Sequence, residues 1–173
     1  MKNNKTIYQG PLFTLRQFEV EINGKTYQRD VLDHVGAVAL LVVQNHKILF
    51  VKQFRYGIMK DTLEIPAGLI DEKETPKEAA LRELEEETGM GAHQLTLFNS
   101  LYPVPAYCNE ISYFFLAEEL YPSKKDADPD EAIEMLWINE EQVYQMLQDP
   151  NPPFDMKTVV ALQYYFLKKK TQE

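Results

Sequence analysis

Cysteine is nearly missing from this chain: Cys108 is the only one among 173 residues. A single thiol excludes an intrachain disulfide, and nothing else in the sequence asks for an oxidising compartment. Positive charge is also scarce. Eighteen Lys and Arg against 27 Asp and Glu leave a formal charge of -9, which argues against binding nucleic-acid phosphates through bulk electrostatics. A polyanionic substrate would need its cations supplied at the site, by bound metal or by one or two arginines. Long hydrophobic runs are absent. The longest, Val35 to Val43, falls far short of the ~20 residues of a membrane span, and Met1 to Gly10 carries no apolar signal core. No internal repeat or low-complexity linker is present. The expectation is a soluble cytoplasmic protein with neither membrane nor nucleic acid as partner.

What is present suits a folded domain. Apolar residues make up 45% of the chain, enough for a core despite the charged fraction. Leu12 to Leu15, Gln17 to Ile22 and Thr26 to Leu32 read as short strands, the last two joined by Asn23-Gly24, a strong hairpin signal. Val35 to Val43 reads as a strand buried on both faces, followed by Lys47 to Phe54 and an extended Thr62 to Pro66. Leu95 to Leu101, Ile111 to Glu118 and Ile133 to Ile138 read as further strands. Helices are expected over Pro76 to Thr88, Glu140 to Leu147 and Asp155 to Lys169. This mixture predicts an α/β sandwich around a mixed sheet.

The first helix has the clearest start. Thr75 is placed as N-cap, Pro76 as first helical residue and Glu78 as the third, completing a capping box. Its end breaks a local rule. Glu83, Glu85, Glu86 and Glu87 crowd the last turns, where the helix dipole is negative and each such charge costs ~0.3–1 kcal/mol. Glu83 and Glu87 add an i,i+4 like-charge pair. Departures of this kind are expected at functional sites. Glu83, Glu86 and Glu87 project from one side, and clustered carboxylates are hard ligands for magnesium or manganese. Arg82 has Glu86 one turn ahead and Glu78 one turn behind. A solvated acidic face is the plain alternative, and the flanking residues decide between the two.

Gly68, Glu74, Arg82-Glu83-Leu84, Glu86-Glu87 and Gly89-Met90 fill every fixed position of the pattern G-x5-E-x7-R-E-U-x-E-E-x-G-U, where U is bulky and apolar. The segment is identified as a Nudix box. Outside it, Val51 to Arg55, Leu63 to Gly68, Pro105, Asn109-Glu110, Asp130 to Glu134 and Ala161 to Tyr164 resemble the ADP-ribose pyrophosphatase branch of that superfamily, over roughly residues 7–167. The resemblance implies a Nudix α/β/α sandwich (34–173) preceded by a small antiparallel β segment (1–33) exchanged between the subunits of a homodimer. It implies magnesium-dependent hydrolysis of ADP-ribose to AMP and ribose 5-phosphate, with manganese an alternative metal. Glu83 and Glu87 would be the principal ligands, Glu86 a third or shared one, and the Ala67 carbonyl would complete the shell. Gly68 would permit a sharp turn, Glu74 would brace loop against helix, and Arg82 would hold the glutamates. Arg55 would contact the diphosphate, Arg29 would reach the nucleotide across the dimer, and Glu64, Glu110 and Pro105 would line the substrate cleft. The general base maps to Glu131, with Glu134 and Asp130 beside it.

Val104-Pro105-Ala106 departs from the Ser-Pro-Gly of many branch members, so the loop must adopt a backbone that alanine tolerates. Cleavage of GDP-mannose or another nucleotide sugar, or of a dinucleoside polyphosphate, is the nearest competing activity. A Nudix-like regulator that binds nucleotides without cleaving them is the competing class, and the intact box argues against it. Asp126, Asp128 and Asp130 alternate like an EF-hand start, but Glu131 and Trp137 occupy positions that need glycine and glutamate. His34, His46, His93, Cys108 and Lys168 to Lys170 call for no special role. Trp137, Tyr56, Tyr102 and Tyr107 read as core, with one aromatic near 102–107 able to stack on a base.

Overall fold

The computed structural model describes residues 1–123 and 134–171. Its elements are β1 (Lys2–Gln9), β2 (Thr14–Ile22), β3 (Lys25–Asp33), β4 (Ala37–Gln44), β5 (Lys47–Arg55), β6 (Lys60–Glu64), β7 (Ala67–Leu69), α1 (Pro76–Thr88), β8 (Met90–Leu101), β9 (Ser112–Pro122), β10 (Glu134–Asn139), α2 (Glu140–Leu147) and α3 (Met156–Lys170). β1, β2 and β3 form a separate antiparallel sheet. Asn23 and Gly24 both take positive φ at the β2–β3 turn, as the tight hairpin demands. β1 was not expected. Its sequence, KNNKTIYQ, is exposed throughout, so it carries no apolar alternation to betray it.

The main sheet runs β10-β5-β4-β9-β8, with β6 on β5 and β7 on β4. Only the β4–β9 pairing is parallel among the described strands; the rest are antiparallel. β4 is buried on both faces, as its composition requires. Val38, Leu40 and Val42 pack with Leu49, Phe115 and Ala79, Ala80 and Leu84 of α1. Ala39 and Leu41 point the other way, toward Ile48, Phe50, Val143 of α2 and Ala161 and Leu162 of α3. The result is the expected three-layer α/β/α arrangement around a mixed sheet.

β4 pairs with β5 only at Val43 and Gln44. Beyond that the strands part, and β7 takes the edge of β4 at Ala37 to Ala39 while β6 takes that of β5. The sheet is therefore split near its middle, and the site lies at the split.

α1 begins and ends as the sequence specifies. The Thr75 hydroxyl accepts from the Glu78 amide, and Glu78 accepts in return from the Thr75 amide, 2.8 Å away. Gly89 closes the helix at φ 66, its N–H donating to the Glu85 carbonyl. Glu78 is thereby occupied at the cap and does not pair with Arg82. Tyr56, Tyr102 and Tyr107, read as core, are 83%, 60% and 52% exposed; Trp137 packs on the core as expected.

Candidate active site

A cavity of about 630 Å³ opens at the split, walled by β4, β5, β7 and α1. Arg55, Ala67, Gly68, Glu83, Glu87 and Glu110 line it together, although they are scattered over more than fifty residues of chain.

Glu87 is buried, 5% exposed, at the negative end of a helix. Burying a carboxylate is costly unless hydrogen bonds hold it. One oxygen accepts from the Ala67 backbone N–H at 3.1 Å and the other from the Gln53 amide at 3.3 Å. Glu83 lies one turn earlier and faces β7. A Cβ built on Gly68 would run into the Glu83 carboxyl. Gly68 sits in a strand, paired with Val38, and its φ is not in the left-handed region. The sharp-turn expectation is therefore corrected: glycine is needed because a carboxylate occupies the space a side chain would fill.

Arg82 organises the helix side. Its Nε and Nη2 donate to the two oxygens of Glu74 at 2.9 and 3.0 Å, and Nη2 also donates to the Leu69 carbonyl at 2.8 Å. Nη1 reaches Glu83 at 2.7 Å and Glu86 at 3.0 Å. The guanidinium is thereby pushed still further above its ordinary range, by Glu74 first and against the opposing effect of burial. Glu74 joins the box loop to α1, accepting from the Asp71 N–H at 3.1 Å. Arg82 and Glu86 stand behind the cavity wall and are not part of its lining.

The cavity also presents cations, Arg55 and Lys157. Arg55 donates through Nε and Nη2 to the Glu64 carboxylate at 2.7 and 2.5 Å, the two-pronged geometry that suits arginine. Lys157 of α3 also donates to Glu64, and to Asp155. Glu64 is 1% exposed. Burial would raise its carboxyl, but Arg55, Lys157 and Thr62 hold it down at about 2. Glu64 thus does not line the cleft as the resemblance implied; it lies behind Arg55, where its charge is sealed from solvent.

Two other expected cleft residues are elsewhere. Pro105 lines a separate depression of about 320 Å³ with Val31, Tyr102 and Tyr107. Ala106 keeps an ordinary negative φ, so the loop has the backbone an alanine permits. That loop is clipped to the end of β3, where Leu32 N–H donates to the Tyr107 carbonyl and Asn109 N–H to the Leu32 carbonyl. Arg29 lies exposed on β3, its guanidinium over the Tyr27 ring, outside the cavity of its own chain. Glu131 and Asp130 lie outside the described residues, as do Asp126 and Asp128; Glu134 is exposed and pairs with Lys52.

Several cavity residues were missed in the sequence, Gln53, His34 and Lys157 among them. Gln53 lies within the quoted Val51 to Arg55 segment, but nothing in it specified a contact to Glu87. His34 was given no special role, yet it lines the cavity, its Nδ1 accepting from the Gly36 N–H at 3.1 Å. Lys157 had only the adjacent helix cap, Asp155, to mark it.

As arranged, Glu83 and Glu86 turn toward Arg82 and Glu87 toward Gln53 and Ala67. Among the described residues, no three His, Cys, Asp or Glu side chains converge at metal-ligand spacing. The donor set still suits a hard divalent cation. The carboxylates of Glu83 and Glu87 border the cavity beside Ala67 and Gly68 of β7, and oxygen donors of this kind are the ones such a cation takes.

The chain belongs to the Nudix family, whose domain profile matches residues 32–162. Within that class, it is 40% identical over 170 residues to an ADP-ribose pyrophosphatase of Bacillus subtilis (strain 168), spanning 96% of this chain and 91% of that protein. It is 35% identical over 167 residues to the methanol dehydrogenase activator of Bacillus methanolicus, spanning 94% and 90%. Among solved structures, an ADP compounds hydrolase matches with TM-score 0.86 and 27% identity, spanning 98% of this chain and 93% of the other.

Proposed function

We propose that this chain hydrolyses the pyrophosphate bond of a nucleoside diphosphate linked to a second moiety, with ADP-ribose as substrate and AMP and ribose 5-phosphate as products. The observation that carries this reading is one cavity that brings Arg55 and Lys157 together with Glu83 and Glu87. A diphosphate needs cations on each side of its bridging oxygen. Arg55 and Lys157 provide some of that charge, and the carboxylates would recruit the rest as metal. The names of the relatives support ADP-ribose as the compound cleaved.

Glu83, Glu87 and the Ala67 carbonyl would hold magnesium, with manganese able to substitute, and Glu86 would share a ligand position. Bound there, the metal supplies neutralisation of the phosphates and a lowered pKa for coordinated water. Arg82 positions Glu83 and Glu86. Arg55 binds the diphosphate, and Glu131 takes the proton from the attacking water. Residues 1–33 act as an exchanged arm in a homodimer. Exposed Ile7, Tyr8, Ile22 and Tyr27 on that arm would find cover against a second copy, and Arg29 would then reach the neighbouring site. The protein would work in the cytoplasm.

The deciding experiment is a substrate panel with magnesium: ADP-ribose, GDP-mannose and a dinucleoside polyphosphate, with products resolved by chromatography. AMP released from ADP-ribose faster than GMP from GDP-mannose is the expected result. GDP-mannose cleavage without AMP release from ADP-ribose would reassign the substrate. Nucleotide binding without turnover of any member would make the chain a non-catalytic sensor. Sedimentation of the full chain tests the dimer.

A further inference from the structure

Lys157 lies far from the Nudix box in sequence, at the start of α3, yet its side chain borders the same cavity as Glu83 and Glu87. It is only 21% exposed and donates to Glu64 and Asp155. Arg55 donates to the same Glu64 carboxylate. One buried carboxylate therefore holds two cations side by side. Arg55 and Lys157 reach the cavity, while Glu64 does not and its side chain is 2% exposed. The negative partner is recessed and the positive groups are presented.

Side-by-side cations repel, and a half-buried Lys that served only to fix α3 would not need an arginine beside it. Asp155 already anchors that helix end by accepting from the Thr158 N–H at 3.0 Å, and the Thr158 hydroxyl accepts from the Ile65 N–H at 2.9 Å. Resting on the diphosphate reading above, we infer that Lys157 binds a phosphoryl oxygen of the substrate alongside Arg55, and that Glu64 is a positioning residue that holds the two cations together before substrate arrives. Preorganised cations avoid the reordering cost that free lysine side chains incur on binding a phosphate.

The test is steady-state kinetics of the full chain on ADP-ribose with magnesium, paired with thermal unfolding. Lys157→Met should raise KM at least about tenfold, the loss expected for one charge-assisted hydrogen bond, and leave kcat within about threefold. Lys157→Arg should restore most of the KM. Glu64→Gln should raise KM in the same direction, through looser cations. Lys157→Gln can still donate to Glu64 and Asp155 but lacks charge; it carries the test if the methionine variant does not fold. An unchanged KM in the charge-free variants, whether or not their unfolding temperature drops, overturns the inference and leaves Lys157 a structural tie. If the unaltered chain cleaves no ADP-ribose, the parent reading fails instead, and the two failures are told apart by the wild-type control.

Discussion

The Glu87 carboxylate on the last turn of α1 accepts a hydrogen bond from the Ala67 N–H, 3.1 Å away and twenty positions earlier in the chain. This contact fixes the helix end against β7 and puts the Ala67 peptide and the carboxylate at one wall. Glu87→Gln keeps an oxygen for the Ala67 N–H but removes the charge. Turnover of ADP-ribose should fall by more than the ~10–100-fold typical of losing an outer-sphere partner of a metal ligand. The circular dichroism spectrum and the denaturation midpoint should remain close to wild type. Wild-type turnover in this variant would remove Glu87 from the metal site.

Gly68→Ala puts a methyl group where the Glu83 carboxyl sits. The obstacle is the end of a flexible side chain, so the stability cost should stay within ~1 kcal/mol while Glu83 is displaced. Activity should drop at least about tenfold, in line with the sensitivity of catalysis to small misplacements. Urea denaturation and kcat measured on one preparation separate the two effects. A large stability loss with full activity per folded molecule would contradict this account of the glycine.

Arg82→Lys tests the fork that joins Glu74, Glu83, Glu86 and the Leu69 carbonyl. Lysine keeps the charge but cannot reach four partners in one plane. Chemical denaturation should show a loss of about 1–3 kcal/mol, and the magnesium concentration needed for half-maximal rate should rise. No change in either would mean that the network is decorative.

Acid should unfold the chain partly through Glu64. Its carboxyl is held at about 2 against an ordinary value of 4.5. The folded value lies below the unfolded one, so on acidification the unfolded chain takes up the proton first. The stabilisation is complete above about pH 4.5 and is lost as pH falls toward 2, with a total on the order of 3 kcal/mol. Glu64→Gln should flatten the pH dependence of the denaturation midpoint in that window. An unaltered slope would show that Glu64 titrates normally in the folded protein.

Much of this architecture was legible because local chemistry and tertiary demand agree. α1 spans Pro76–Thr88 as its cap and terminal glycine require, and the apolar run at Val38–Val42 is the buried centre of the sheet. Where long-range contact overrides local pattern, the sequence was silent. β1 is polar and is set by pairing with β2. The role of Glu64 could not be read from its place between Leu63 and Ile65; only the arrival of Arg55 and Lys157 from other elements makes it a buried counter-ion. The box glutamates were visible because fixed spacing on one helix fixes their side, whereas Pro105 and Arg29 depend on how a loop and a hairpin are placed in space.

The crowding of carboxylates at the end of α1, where the last turn contains no basic residue, has a thermodynamic consequence. Repulsion among Glu83, Glu86 and Glu87, offset in part by Arg82, burdens the folded chain more than the unfolded one, and a cation held between them would relieve it. Folding and metal binding would then be linked equilibria, with stability growing as RT ln(1 + [M]/Kd). The melting temperature should climb with added magnesium and fall with chelator, so that the chain reports the free divalent ion through how firmly it is folded.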